Sequence, residues 1–175
     1  MTAWAELNGI LDESQGAYRK GRSTVDHIFS LYAIVQKYLR KRGGRFYVAF
    51  IDFSRAFDSV PHSVLWYRLL QNGIHGKILT VLRSMYSQLK SYVKTLNGLT
   101  YFFLCTVDTR QGCMVSLFLF ALYINEVVNM CKQWNCPSIY VDNVMPDFQL
   151  LVYADDIYII NDTVGRLQNQ LKVFG

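Results

Sequence analysis

Two acidic spots sit inside stretches that are otherwise apolar, and they constrain the chain more than any other feature. Residues 46–53 read Phe-Tyr-Val-Ala-Phe-Ile-Asp-Phe, a strand by composition, with Asp52 near its end. Asp155 and Asp156 follow Leu-Leu-Val-Tyr-Ala and precede Ile-Tyr-Ile-Ile. A carboxylate among such neighbours is costly to bury unless it is paired, protonated or beside a cation. One Asp in a hairpin needs no explanation, because Asp tolerates turn geometry. Two in succession, framed by two apolar strands, are harder to dismiss.

Divalent metal resolves the conflict. If the Asp52 strand lies beside the Asp155–Asp156 hairpin, three carboxylates converge at one edge of a sheet. Hard oxygen donors suit Mg²⁺, with Mn²⁺ as a substitute; Mg²⁺ keeps waters and takes phosphate oxygens as further ligands. Two such ions, about 3.5–4 Å apart, activate a 3′-hydroxyl and stabilise a leaving pyrophosphate. The expected chemistry is in-line nucleotidyl transfer, in which the protein supplies positioning and charge neutralisation.

The remaining pattern alternates between helix and strand. Ser23-Thr24 caps a helix over 25–40, with Ile28, Tyr32, Val35 and Leu39 at helical spacing. Pro61 opens a second helix that Asn72-Gly73 closes. Residues 77–88 read as a third helix. Residues 91–95 and 101–107 read as a hairpin around Asn97-Gly98. An apolar helix covers 116–132, short strands cover 149–153 and 157–160, and an amphipathic helix covers 163–173. Strands and helices mix without strict alternation, so the expected class is α+β, a small antiparallel sheet packed on helices. The aromatic run Tyr101-Phe102-Phe103 reads as core rather than as a base-stacking platform.

Charge is uneven. Residues 1–94 hold 14 Lys and Arg against 6 Asp and Glu, whereas residues 95–175 hold 4 against 7. A cationic part of this kind suits a polyanion such as nucleic acid, or forms a solvated helical face. Charged residues are only 18% and apolar ones 51%, which excludes a disordered tail. The longest apolar run, residues 117–124, is short for a membrane span, and no secretory signal opens the chain. An intracellular location, nucleus or cytoplasm, without membrane contact is therefore expected. Cys105, Cys113, Cys131 and Cys136 form no C-x-x-C pair and stand near no histidine, so free thiols are expected rather than zinc.

Several stretches then match a known family. Residues 50–60, Phe-Ile-Asp-Phe-Ser-Arg-Ala-Phe-Asp-Ser-Val, resemble the first catalytic motif of reverse transcriptases. Arg110-Gln111-Gly112-Cys113, with Ser116 and Leu119-Phe120, resembles their second palm motif. Tyr153-Ala154-Asp155-Asp156 resembles the Y-x-D-D box. Residues 14–26, Ser-Gln-Gly-Ala-Tyr-Arg-Lys-Gly-Arg-Ser-Thr-Val-Asp, resemble the fingers motif of the non-LTR, LINE-like branch. Four motifs in the right order span most of the chain, from about residue 14 to 160.

The resemblance implies a single partial reverse-transcriptase domain over 1–175. Residues 1–45 would be fingers-like and 46–175 mainly palm, with room for a fingers insertion. The thumb and any endonuclease would lie outside the chain, within a larger retroelement polyprotein. Asp52, Asp155 and Asp156 would be the catalytic, metal-binding carboxylates. Phe57 would lie under the sugar of the incoming nucleotide and favour deoxynucleotides. Gln111 and Gly112 would lie beside nucleotide and template, Arg19 and Arg22 would reach the triphosphate, and Arg110 and Lys20 would contact nucleic acid. RNA template, DNA primer and deoxynucleoside triphosphates are the implied partners. Met114 and Leu117 stand where the family usually has proline, and Tyr18 where it usually has Phe. The competing expectation is a catalytically inactive retroelement relic that at most binds nucleic acid.

Overall fold

The computed structural model describes residues 1–40, 42–87, 90–104, 113–140, 148–172 and 174. The elements follow in the order α1 (Thr2–Leu7), α2 (Thr24–Leu39), β1 (Tyr47–Asp52), α3 (His62–Gln71), α4 (Gly76–Tyr86), β2 (Lys90–Ser91), β3 (Lys94–Thr95), β4 (Gly98–Leu99), β5 (Phe103–Leu104), α5 (Met114–Gln133), β6 (Leu150–Tyr153), β7 (Asp156–Asn161) and α6 (Val164–Leu171). They form two compact units, one of Met1–Ser54 with Ile124–Gly175 and one of Arg55–Tyr123. Compaction thus divides the chain after residues 54 and 123.

The first unit is built on a three-stranded antiparallel sheet in the order β1-β7-β6. Residues 14–16 add to the free edge of β6 in parallel. The Gly16 amide donates to the Val152 carbonyl at 2.9 Å, and the Val152 amide donates to the Ser14 carbonyl at 2.9 Å. Ser23 starts α2 with a capping box: its backbone N–H donates to Asp26 Oδ2 at 2.6 Å, and its Oγ accepts from the Asp26 amide.

Strand alternation puts Val48, Phe50 and Asp52 on one face of β1, opposite Ile160, Tyr158 and Asp156 of β7. That face changes character along its length. At one end Ile160 and Leu151 pack with Ile34 and Tyr38 of α2, with Val48 and Tyr158 at the margin of the cluster. In the middle the rings of Phe50 and Tyr158 meet edge-on at 5.2 Å. At the other end are Asp52 and Asp156, both exposed. Helix α2 presents His27, Ile34 and Tyr38 inward, whereas Ile28, Tyr32 and Leu39, the stripe picked out by spacing, are mostly exposed.

In the second unit α3 and α4 bury Leu65, Leu69, Leu79, Leu82 and Tyr86. Gly73, at φ +78°, takes the left-handed position that ends α3. The Tyr86 hydroxyl shares a 2.8 Å hydrogen bond with Ser116, which is itself buried at the start of α5. The strands β2–β5 and β3–β4 are successive rungs of one hairpin. Helix α5, of 20 residues, is long and apolar enough to cross a membrane by length and composition, but more than half of its most apolar window is buried within the protein. Its apolarity serves the core.

Candidate functional site

The Y-A-D-D turn is a two-residue hairpin loop, because Tyr153 and Asp156 are the last register partners of β6 and β7. Ala154 has φ +57°, and Asp155 is not among the positive-φ residues, which is the type II′ pattern. The loop puts Asp155 at the tip and returns Asp156 to the sheet.

Asp52 is the register partner of Asp156 across β1 and β7. Directly opposed residues share a face, with Cα atoms about 4.5–5.5 Å apart. The three acidic residues, roughly a hundred positions apart in sequence, therefore meet at one rim of the sheet. They meet in the open: Asp52 and Asp156 are exposed and Asp155 is half-buried. Apolar neighbours along the strand predict burial. The strands instead carry their carboxylates to the exposed end of the sheet, where like charge adds to what desolvation remains. The Asp156 carboxyl is raised above its ordinary value, first by desolvation and then by the charges of Asp155 and Asp52.

Among the described residues, no group of three or more His, Cys, Asp or Glu forms a ready-made metal cage. The donor set still suits a hard divalent cation. It is all carboxylate oxygen and open to solvent, and its mutual repulsion is relieved by positive charge. Mg²⁺ completes its shell with water and phosphate oxygen rather than relying on a closed protein cage.

The segment hydrogen-bonded to the edge of β6 brings a second set of residues to this turn. Tyr18 has φ +61°, an uncommon left-handed backbone for a bulky side chain. Its phenol is half-buried and raised in pKa, by desolvation first and then by the nearby charge of Asp155. His27, on the first turn of α2, sets its ring edge-on to Tyr153 at 5.4 Å. It also fills the space beside Gly16: a Cβ there would lie 2.7 Å from His27 Cδ2 and closer still to Nε2. Burial lowers the His27 pKa, with Arg22 adding to the effect and Asp26 opposing it. The sequence reading gave Gly16 and His27 no role. A glycine followed eleven residues later by a histidine carries no signal until the fold stacks them.

The basic candidates separate. Arg19 is buried, and its Nε and Nη2 donate to the two Glu6 carboxylate oxygens at 2.6 Å each. Its Nη1 donates to the carbonyls of Asp12 at 2.6 Å and Gln15 at 3.0 Å. The guanidinium is thus engaged within the fold by Glu6 and two backbone carbonyls. Arg22 pairs with the largely exposed Glu13, and Lys20 is exposed. Both line a cleft of about 810 Å³ together with Asp26, His27 and Lys132. None of the three Asp residues lines that cleft.

Phe57 belongs to the second unit and stacks on Phe120, with centroids 4.1 Å apart and planes at 22°. Arg110, Gln111 and Gly112 lie outside the described residues. Met114, in place of a family proline, is the first residue of α5, a position proline tolerates well. Cys113, Cys131 and Cys136 are free thiols; burial, with Cys136 adjacent, pushes Cys131 up to about 12.

Known proteins resemble this chain in sequence and in fold. Over 164 residues the chain is 25% identical to the "Transposon TX1 uncharacterized 149 kDa protein" of Xenopus laevis, covering 93% of the chain and 12% of that protein. It thus spans about an eighth of this relative. Among solved structures it is similar to telomerase from Candida albicans in complex with a fragment of telomeric RNA, at TM-score 0.61 and 13% identity, covering 87% of this chain and 28% of that one. It is also similar to apo telomerase from Candida tropicalis, at TM-score 0.62 and 17% identity, covering 91% and 31%. At such identities the likeness concerns the fold, a mixed α+β arrangement with small antiparallel sheets. The profile of the reverse transcriptase (RNA-dependent DNA polymerase) family matches residues 3–175, and the chain belongs to that family.

Proposed function

We propose that this chain is the polymerase core of a non-LTR retrotransposon and joins deoxynucleotides to a primer 3′-hydroxyl on an RNA template. The opposition of Asp52 and Asp156, with Asp155 on the adjoining turn, carries this reading. Asp52, Asp155 and Asp156 would hold divalent metal, which when bound supplies the charge that lowers the hydroxyl pKa and stabilises the departing pyrophosphate. The chain's own work is positional. The β1–β7 ladder fixes Asp52 against Asp156, and the tight loop fixes Asp155. Phe57, braced by Phe120, crowds the 2′ position of the incoming sugar. By their motifs Gln111 and Gly112 would serve nucleotide and template, Arg110, Lys20 and Arg22 would contact phosphate, and other parts of a polyprotein would grip the duplex. The transposon relative and the four motifs in order support the non-LTR assignment.

Primer extension on an RNA template tests this, using the chain and the chain extended by a relative's duplex-gripping segment. The reading expects incorporation that requires Mg²⁺ or Mn²⁺ and disappears in Asp155→Asn. Template-dependent extension that survives this substitution would count against it. Nucleic-acid binding with no incorporation by either protein would select the inactive relic instead.

A further inference from the structure

The aromatic run read from sequence as core lies at the surface. Tyr101 is 97% exposed, Tyr92 53%, and Phe102 and Phe103 51% each. All four belong to the β2–β5 hairpin of the second unit. At its base Lys90 pairs with Leu104 and Ser91 with Phe103, whereas at its tip Lys94 pairs with Leu99 and Thr95 with Gly98. The two registers differ by one, so an extra residue at Tyr101–Phe102 is accommodated opposite Tyr92. Such a bulge bends the strand and breaks strict alternation, which lets three successive rings reach solvent.

Lysines interleave with these rings. Lys90 Nζ lies 4.3 Å from the Phe102 ring centroid, and Tyr92 meets the same ring edge-on at 6.4 Å. Lys94 follows on the exposed tip. The surrounding charge is one-sided: no Asp or Glu occurs between Asp58 and Asp108, a stretch holding Arg68, Lys77, Arg83, Lys90 and Lys94. Over residues 55–123, seven Lys and Arg face two acidic residues, so this unit carries the whole net charge of +5, and residues 1–54 with 124–175 balance at eleven each.

We propose that the Tyr92, Tyr101, Phe102 and Phe103 surface, with Lys90 and Lys94, binds single-stranded nucleic acid. The bases would stack on the rings and the phosphates would lie on the lysines. Single strands suit such a surface because unpaired bases offer their faces to aromatic rings whatever the sequence. A duplex keeps its base faces stacked inside and offers only backbone and groove edges. The positive surround recruits a polyanion and discourages a second copy of this equally basic unit. This goes beyond the polymerase reading and uses none of its carboxylates.

The test is fluorescence anisotropy of a labelled oligouridylate of about 15 nucleotides, the matching DNA strand and the matching duplex, over a salt series. The expected order is single strand over duplex. Tyr101→Ala and Phe103→Ala should each weaken single-strand binding roughly 5- to 150-fold. Tyr101→Phe, which keeps the ring, should not. Lys90→Gln and Lys94→Gln should each reduce the salt slope by about 0.7. These side chains are exposed, so circular dichroism should show an unchanged fold. Unchanged affinity after both rings are removed overturns the proposal. So does equal affinity for duplex, or self-association that the same ring substitutions abolish. Asp155→Asn separates the two readings: there, binding retained while extension is lost supports both, and binding retained while extension persists leaves only this surface.

Discussion

His27 occupies the space that a side chain on Gly16 would need, and Gly16 is hydrogen-bonded to Val152 of β6 and cannot withdraw. The imidazole is in turn set edge-on to Tyr153, the first residue of the Y-A-D-D turn. Three sequence-distant segments are thus fitted to one another beside the carboxylates.

Gly16→Ala should therefore destabilise the protein by about 1–3 kcal/mol, as overpacking does where neither side can move. His27→Ala opens the space, so the double variant should be more stable than the two single effects added together. Urea midpoints at constant m would measure this, and strict additivity would show that the imidazole is not what confines Gly16.

Acid should act through the same histidine. Its pKa in the folded chain lies below the ordinary value of about 6.5. Above that pH the group is neutral in both states and contributes nothing. As pH falls through the unfolded value toward the folded one, the unfolded chain binds the proton more readily, and stability is lost. His27→Phe keeps a ring against Tyr153 and removes the titration. The loss of melting temperature between pH 7 and 5 should be smaller in His27→Phe than in the native chain.

The fold was legible in the sequence wherever a local signal agreed with the packing. Ser23 caps α2, Gly73 ends α3, and strands flank the Asp pair, each within a residue or two of expectation. The convergence of Asp52, Asp155 and Asp156 was legible in the sequence, but their exposure was not. Apolar neighbours along a strand say nothing about what covers its end, and Asp52 and Asp156 are exposed there. The same ignorance of what covers what misled two other readings. The apolar stripe of α2 that is buried runs through Ile34 and Tyr38, not Ile28 and Tyr32. Tyr101-Phe102-Phe103 is solvent-facing because a two-stranded hairpin has no second layer.

The Arg19–Glu6 pair makes its own prediction. Replacing Arg19 with Met leaves a partly buried carboxylate and two backbone carbonyls without their donor. A loss of about 1–3 kcal/mol is expected, discounted from a fully buried pair because Glu6 remains partly open to water. If Arg19 instead served the triphosphate, the variant would keep its denaturation midpoint and raise the nucleotide KM.

The carboxylate rim should trade stability for function. The Asp156 pKa is raised in the folded state, so its ionisation opposes folding once pH rises through that folded value. Asp156→Asn should melt slightly higher than the native chain at pH 7. The advantage should vanish below about pH 4, where the native carboxyl is protonated in both states. Mg²⁺ at ten times its Kd should stabilise the native chain by about 1.4 kcal/mol and the Asn chain by less. A melting temperature indifferent to Mg²⁺ in both would mean that these residues do not share an ion.

Phe57 is the remaining test, because its ring has a support that sequence did not reveal. Phe120, fully buried on α5, stacks against it, so the ring is held in place rather than left to swing. Phe57→Val should lower discrimination against ribonucleotides, read as the ratio of kcat/KM for deoxy- and ribonucleoside triphosphates. Phe120→Leu should lower the same ratio less, because the Phe57 ring remains but loses a stacking contact of about 0.5–1.5 kcal/mol. Stability sorts differently: Phe120 is the more deeply buried, so its substitution should cost the larger share of folding free energy. A Phe57→Val chain that loses stability but keeps its sugar preference would leave Phe57 as packing and move the gate elsewhere.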